Sequence, residues 1–325
     1  MTGLDPIRAL NAGRCQWGYS NLGGEWPSDY LQDTHSAHIA IALHPRYPIL
    51  SCSFPTPPTM AYPPLKHYWV DWICVAGLIA LFFGVSERAT PFSRQFYLND
   101  MSLSHPFTHH ERVLAFECIA IAFLVPLVSI TGVSLYRAKG WNLKFIHQLG
   151  VGVLGLLLAL SLNGNVTDAL KCWIARPRPD FLDRCGAAKG TPRNVMVTVD
   201  VCTAPYGKSV LVEGMKLTPL GHSSIAFAGL GFLTLWLLGQ AKLMQPNQRQ
   251  PIYKFIVAFI PIAIATYIAL LRTQDYRHHF GDVISGSVLG FIFAGLMYFR
   301  YYPALADEEC DEPKRVDDIR PILPE

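Results

Sequence analysis

Six runs of about 20 apolar residues, each long enough to cross a lipid bilayer as an α-helix, dominate this 325-residue chain. A bilayer core offers no water to pair with backbone groups, so such runs fold as helices. Hydrophobic residues make up 51% of the chain and charged residues 16%, which is too apolar for an ordinary soluble enzyme. We therefore expect an all-α, polytopic membrane protein with spans near residues 68–86, 113–135, 145–168, 220–240, 253–271 and 282–301.

The third run is interrupted by Asn163, Gly164 and Asn165, after which a helical pattern resumes toward Lys171. Polar groups inside a membrane normally face protein or a water-filled cavity. We therefore expect Asn163, Asn165 and Asp168 to point into the helix bundle. The alternative is that the third helix ends early.

Both ends of the chain differ in composition from the apolar centre. Residues 1–65 are rich in Pro, Ser and His, which predicts a largely disordered tail. Residues 66–302 contain the six spans, and residues 303–325 form a polar, acidic and solvated second tail.

The positive charges predict the orientation of the chain in the membrane. The loop after the second span carries Arg137, Lys139 and Lys144 without an acidic residue, and the loop after the fourth span is similarly basic. Short basic loops lie in the cytosol. Both termini are then cytosolic, and the other three loops face the lumen or the exterior of an endomembrane (vacuole, ER or Golgi) or the plasma membrane. The net charge of +3 includes no basic block, so we expect membrane phospholipids and no nucleic acid as partners.

Cys185 and Cys202 share the long extracytosolic loop between the third and fourth spans. Oxidation is possible there, so they form either a disulfide or two free thiols. His105 and His109 have the spacing of a metal-binding pair, but Pro106 between them argues against the continuous helix that such a pair needs.

A dense charged segment, Arg272 to Asp282, separates the fifth and sixth runs. If the chain is helical from His278 onward, the spacing of four puts His278 and Asp282 on one face, where the carboxylate accepts an imidazole N–H. A histidine held in this way, with an arginine nearby, suits attack on an anionic centre such as phosphorus. The alternative is an interfacial collar of charges that faces headgroups and water.

Two further polar segments are predicted at the same membrane face. Lys171 and Arg178, at the end of the third run, are donors suited to phosphate oxygens, although they would also serve as a basic anchor at the membrane surface. Gly221 and His222 open the fourth run. The N-terminus of a helix attracts anions, and His222 is placed to protonate a departing alkoxide, unless it merely caps the helix.

Together these segments resemble the type 2 phosphatidic acid phosphatase family of integral membrane lipid phosphatases. The family signature is Lys, six residues, Arg-Pro; then Pro-Ser-Gly-His; then Ser-Arg, five residues, His, three residues, Asp. The matching residues here are Lys171, Arg178 and Pro179; Pro219, Gly221 and His222; and Arg272, His278 and Asp282. The resemblance covers residues 66–302 and implies a six-helix bundle of the phosphatidic acid phosphatase/haloperoxidase type. Stretches 91–107, 178–185 and 272–279 are also similar to fungal diacylglycerol pyrophosphate phosphatases.

The resemblance implies a mechanism. His278 attacks phosphorus to form a phosphohistidine, Asp282 holds its tautomer, and His222 protonates the leaving group and then activates water. Four groups bind the phosphoryl oxygens: Lys171, Arg178, Arg272 and the backbone N–H of Gly221. No cofactor or metal is expected, and phosphatidate, lysophosphatidate and diacylglycerol pyrophosphate are the implied substrates.

Two positions depart from the signature, because Leu220 and Leu271 stand where the family has serine. Losing a hydrogen bond to a charged group costs about 1.5 to 3 kcal/mol, which slows turnover by roughly tenfold to a hundredfold. A weakly active or inactive lipid-binding homologue is therefore one alternative. A second is a transferase that passes a phosphoalcohol between lipids, as in sphingolipid synthesis.

Overall fold

A computed structural model describes residues 14–18, 36–41, 49–55 and 65–314, apart from 109, 110 and 248. The chain divides into two compact units, Met1–Tyr62 and Pro63–Glu325. His109, one half of the histidine pair noted above, lies outside the described residues.

The first unit contains a three-stranded antiparallel sheet of order β1-β3-β2. Its strands are β1 (Arg14–Gly18), β2 (Ser36–Ile41) and β3 (Ile49–Pro55). The sequence of β3 alternates apolar and small polar residues from Leu50 to Phe54, which is the period of a strand. The expectation of disorder for residues 1–65 is therefore wrong for these strand residues. Most other residues of that stretch lie outside the described part of the chain.

The second unit is helical. Its helices are α1 (Trp69–Leu81, continued by a π-helical turn Phe82–Ser86), α2 (Ala115–Ala138), α3 (Leu143–Ile174), α4 (Phe181–Cys185), α5 (Lys208–Gly214), α6 (Gly221–Gln240), α7 (Ile252–Gln274) and α8 (Phe280–Tyr301). Among the described residues, α1 with its π-helical turn, α2, α3, α6, α7 and α8 are long and apolar enough to cross a membrane. The predicted six spans are confirmed, and the chain is a multi-pass integral membrane protein.

Helix α6 is the most buried span and packs against α2, α3, α7 and α8. Glycines bring α8 close to it, since a Cβ at Gly286 or Gly290 would collide with the backbone of Leu220 or Ser224. Ser223 Oγ also donates to the carbonyl of Val283 at 2.9 Å. These contacts fix the first turn of α6 against the first three turns of α8.

Helix α3 runs without a break through its polar stretch to Ile174. Asn163 Nδ2 donates to Ser224 Oγ at 3.3 Å, and Asn165 accepts from Ser86 Oγ at 2.8 Å while donating to the carbonyl of Leu78 at 2.9 Å. Both amides therefore point into the bundle, as predicted, and join α3 to α6 and α1. The alternative that the helix ends early is wrong.

Two extramembrane segments, 89–114 and 175–220, build a small lobe over one end of the bundle. In this lobe β4 (Phe96–Tyr97) pairs with β5 (Met196–Val197), and buried apolar side chains form a separate core. A disulfide joins Cys185 to Cys202, so the disulfide alternative is confirmed over two free thiols. The lobe positions several of the cations described below.

At the other end of the bundle, the chain after α8 folds back onto the basic loops. Asp311 pairs with Arg137 and lies 3.0 Å from Lys242 Nζ, and Glu312 lies 2.7 Å from Lys144 Nζ. The expectation of a solvated tail is therefore wrong for Asp311 and Glu312, whose carboxylates pair with the basic loops, whereas residues 306–309 are exposed. Residues 315–325 lie outside the described part. We call this end of the bundle the paired end.

Candidate active site

A cavity of about 520 Å³ lies between the lobe and the bundle, where α3 ends and α6 begins. Six of the seven predicted site residues line it: Lys171, Arg178, Gly221, His222, Arg272 and His278. These residues lie up to 107 positions apart in the chain, from Lys171 to His278. The predicted convergence of the three motifs on one side of the bundle is therefore confirmed.

Lys171 lies over the first residue of α6. Its Nζ donates to Asp168 Oδ1 at 2.8 Å and would lie 2.8 Å from a Cβ built on Gly221. Any other residue at this position would push the ammonium group away. Glycine thus lets Lys171 share the cavity with the free backbone N–H groups that begin α6.

Two histidines carry buried ring nitrogens without a partner. His222 Nε2 and His278 Nδ1 are shielded from solvent and make no hydrogen bond in the described part of the chain. Such groups are rare in folded proteins, because an unpaired buried polar atom is costly. Here they belong to two residues that line one cavity.

His278 lies before α8, not inside it. The helix begins at Phe280, and the backbone of His279 is extended at its N-cap. Burial, together with the nearby cations Arg178 and Arg272, holds the pKa of His278 well below its usual value. The imidazole is therefore neutral at physiological pH, which is the state that a nucleophile needs.

Asp282 makes no hydrogen bond to the imidazole of His278, which corrects the geometry expected from a spacing of four. Its side chain, 0% exposed, accepts from the backbone N–H of His279 at 2.8 Å and from the hydroxyl of Thr218. The expectation failed because α8 starts two residues after His278. Asp282 is the third residue of α8, and its carboxylate caps the N-terminus of that helix.

The two predicted arginines are buried and already paired. Arg272 Nη2 lies 2.8 Å from Glu111 Oε2, and its Nη1 donates to the carbonyl of Val113 at 3.1 Å. Arg178 Nη2 lies 3.3 Å from Glu213 Oε2. The Nε atoms of both arginines are buried and have no hydrogen-bond partner among the described residues, which leaves each with a donor to offer.

Glu111 is a site residue that the sequence did not predict. It lies 2.8 Å from Arg272 and 2.9 Å from Arg277, so one carboxylate bridges two guanidinium groups. Burial alone would raise the pKa of Glu111, but the two arginines outweigh it and lower the pKa overall. Glu111 precedes α2 outside every motif, and nothing in its sequence context distinguishes it.

Three further cations, Arg184, Lys216 and Arg277, also line the cavity. The Phe107 ring lies between two of them, with Arg184 at 4.6 Å and Arg277 at 5.1 Å from its centroid. Arg184 and Arg277 fall in stretches that resemble fungal enzymes, but no signature position marks them. Lys216 belongs to no motif, and only the folded lobe brings it to the cavity.

The two leucines that replace family serines are buried. Leu220 is 1% exposed and clusters with Ala269 and Val283, and its backbone N–H donates to the carbonyl of Asp282 at 3.2 Å. Leu271 is also buried. Leu220 is the N-cap of α6 and makes no side-chain hydrogen bond there. A hydroxyl that a serine would offer to the first turn of α6 is therefore missing.

This arrangement is suited to phosphoryl transfer. Cationic side chains and helix N–H groups neutralise phosphate oxygens, a neutral imidazole attacks, and a second imidazole exchanges a proton with the leaving oxygen. Exposed apolar side chains of two spans, Phe83 and Ile119, also line the cavity, so it borders the surface that faces lipid.

Comparison with known proteins agrees with these features. The model of the PAP2 superfamily matches residues 152–304. The chain is 45% identical over 218 residues to diacylglycerol pyrophosphate phosphatase 1 of Saccharomyces cerevisiae, and this alignment covers 67% of the chain and 74% of the relative. It is 36% identical over 250 residues to the probable diacylglycerol pyrophosphate phosphatase 1 of Schizosaccharomyces pombe, covering 76% and 87%. It is 31% identical over 250 residues to lipid phosphate phosphatase 2 of Arabidopsis thaliana, covering 75% and 80%. No solved structure matches the chain.

Proposed function

The chain belongs to the PAP2 superfamily, and we propose that it is a lipid phosphatase that releases inorganic phosphate from phosphatidate, lysophosphatidate and diacylglycerol pyrophosphate. One observation carries the proposal, namely a cavity beside the lipid-facing surface that joins two histidines to six cationic side chains. Relatives named as lipid phosphate and diacylglycerol pyrophosphate phosphatases support the same substrate class.

In the first step, His278 attacks the terminal phosphorus. A nitrogen–phosphorus bond forms, the bond from phosphorus to the leaving oxygen breaks, and His222 gives that oxygen a proton. The burial of Nδ1 of His278 supports Nε2 as the attacking atom. Lys171, Arg178, Arg272 and the N–H of Gly221 stabilise the charge on the phosphoryl oxygens.

In the second step, His222 takes a proton from water, which attacks the phosphohistidine and releases inorganic phosphate. Asp282 acts as a positioning residue in this scheme. Its carboxylate holds the N–H of His279 at 2.8 Å and so fixes the segment that carries His278.

The cationic side chains take the place that a divalent ion has in many phosphatases. Positive charge already surrounds the phosphate position. Of the four acidic residues that line the cavity, Glu111, Asp168 and Glu213 are paired with cations, and the fourth is Glu87. Hydrolysis should therefore persist in a chelator. Activity lost in chelator and restored by a divalent ion would contradict this part of the proposal.

The basic loops at the paired end support an orientation in which that end is cytosolic. The active site then opens to the lumen or the exterior. The disulfide in the lobe fits an oxidising compartment on that side.

The test is phosphate release by the purified full-length protein in detergent micelles that contain each of the three lipids. Wild type should release phosphate, and His278→Ala should abolish release while keeping the thermal midpoint of unfolding. Equal activity of the two proteins would overturn the nucleophile assignment. No release by wild type from any of the lipids would favour the inactive lipid-binding homologue. The replacement of the family serines by Leu220 and Leu271 is the observation that supports this alternative.

The transferase alternative is tested in the same assay. A ceramide-like acceptor is added to micelles that contain a phosphoalcohol lipid, and the products are separated. If the acceptor lipid gains the phosphoalcohol and no inorganic phosphate is released, the protein is a transferase and the proposed hydrolysis is wrong.

A further inference from the structure

Lys216 differs from every other cation that lines the cavity. Five of the six have a carboxylate oxygen within ion-pair distance: Lys171 with Asp168 at 2.8 Å, Arg178 with Glu213 at 3.3 Å, Arg184 with Asp180 at 2.7 Å, Arg272 with Glu111 at 2.8 Å and Arg277 with Glu111 at 2.9 Å. Lys216 forms no such pair with any described residue. It is nevertheless 6% exposed.

The partner of Lys216 is a neutral group. Its Nζ donates to the carbonyl of Glu87 at 3.2 Å, just after the π-helical turn that ends the first span. An ammonium group has three N–H donors, so this contact leaves two of them without a partner among the described residues. Burying a charge without a counter-charge is expensive, and a helix-end carbonyl offsets only part of that cost. A lysine in this state is suited to receive an anion.

The position of Lys216 beside the predicted phosphate site identifies the kind of anion. Its carbonyl accepts from Arg178 Nη2 at 3.5 Å, so the two residues are neighbours in the cavity wall. Glu87 and Phe83, which line the same cavity, place Lys216 on the side formed by the first span. That side leads toward lipid, whereas His222 and His278 mark where phosphorus is attacked.

We propose that Lys216 forms a second phosphate subsite, which binds the lipid-proximal phosphate of a pyrophosphate-bearing lipid while the terminal phosphate lies at His278. This inference rests on the proposed function and assigns a specificity residue to the same site. A phosphomonoester lipid has one phosphate and leaves this subsite without an anion. A lipid pyrophosphate fills both subsites.

The chemistry of the leaving group makes Lys216 most important for the pyrophosphate. When His278 attacks the terminal phosphorus, the bridging oxygen takes the bonding electrons and the proton from His222, and it stays part of a second phosphate group. That group, unlike an alcohol, remains anionic after the proton transfer, and the ammonium group of Lys216 stabilises its negative charge as the bond breaks. With phosphatidate the leaving oxygen becomes an alcohol after it accepts a proton, so it keeps no charge for Lys216 to stabilise.

The experiment compares kcat/KM for diacylglycerol pyrophosphate and phosphatidate in Lys216→Gln, in which the amide keeps an N–H donor but carries no charge. The ratio of the two values should fall by about tenfold or more, as expected for the loss of one charged hydrogen bond in the transition state. Lys216→Arg should keep the ratio. Lys189→Gln, an exposed lysine of the same lobe, is the matched control and should also keep it.

Other outcomes would overturn the inference. An equal fall for both lipids would mean that Lys216 only ties the lobe to the first span, and no change would mean that its charge is irrelevant. If Lys216→Gln does not fold, inhibition of the wild type decides, because two subsites predict that inorganic pyrophosphate inhibits phosphatidate hydrolysis at least about tenfold more tightly than inorganic phosphate. Equal inhibition would contradict the second subsite. A wild type inactive toward both lipids would instead remove the proposed function, and this inference with it.

Discussion

The two ends of the helical bundle differ in how their cationic side chains are paired. At the paired end, Arg137, Lys144 and Lys242 each meet a carboxylate of Asp311 or Glu312. At the cavity end, two arginines share Glu111, and Lys216 has no acidic partner among the described residues. At the paired end every one of these cations has an acidic partner, and the ion pairs join the segment after α8 to the two basic loops. The cavity end has more cationic than acidic side chains, and this excess of positive charge lowers stability but creates a site for an anion.

The largest expected effect comes from removing one arginine at each end. Arg272→Gln should lower kcat/KM for phosphatidate by about 100-fold or more, because it removes a buried, charge-assisted donor to the phosphoryl group. Arg137→Gln should lower the thermal midpoint of unfolding and leave kcat/KM within about twofold, since the paired end takes no part in chemistry. A similar loss of activity in both variants would erase the contrast between the two ends.

A smaller effect is expected from restoring the family serine at position 220. Leu220→Ser places a hydroxyl at the N-cap of α6 and should raise turnover by about tenfold. It also removes a buried leucine from the cluster with Ala269 and Val283. The free energy of unfolding should therefore fall, because the loss of about 2 kcal/mol of apolar burial exceeds the gain of about 1 kcal/mol from the cap. Turnover and the free energy of unfolding are both measured. Unchanged turnover would mean that the hydroxyl is dispensable in this chain.

The next effect concerns the carboxylate that occupies the arginines before phosphate arrives. Glu111→Gln should lower KM and tighten inhibition by orthovanadate by about three- to tenfold, because the anion no longer competes for Arg272 and Arg277. Asp200→Asn, an exposed acid of the lobe, serves as the control. A raised KM in Glu111→Gln would instead make Glu111 a residue that positions the two arginines.

The smallest effect is a shift in pH dependence. His278 must be neutral to attack, and its pKa lies well below its usual value, so the acidic limb of kcat/KM should also lie well below pH 6.5. Arg178 contributes to that depression. Arg178→Gln should therefore raise the pKa of His278 and move the limb toward higher pH by roughly half a unit to one unit. A limb that stays in place, or moves to lower pH, would mean that another group controls it.

The sequence predicted what depends on composition and on motif spacing. Six spans follow from apolar length, and six of the seven predicted site residues meet in one cavity because helix ends at one side of the membrane must be neighbours. The Asp282 contact was not predictable, since it depends on the helix starting at Phe280 instead of His278. Glu111 and Lys216 carry no local signal either. Long-range folding of the lobe and of the segment before α2 brings them to the site.

The two tails show the same limit of sequence-based prediction. The sequence predicted that acidic residues 311 and 312 would be solvated, because their partners Arg137, Lys144 and Lys242 are distant in sequence. In the N-terminal stretch, the alternating pattern of β3 is short and separated from its partner strands. In both cases the missing information was which segments pair.

The central claim is that the cavity end holds a histidine nucleophile in a cationic pocket. The most direct test is rapid quench of the full-length enzyme with phosphatidate labelled at its phosphate, followed by peptide mapping under alkaline conditions that preserve phosphohistidine. We expect the label on the peptide that contains His278 and none in His278→Ala. Label on another residue, or turnover without any labelled enzyme, would contradict the account.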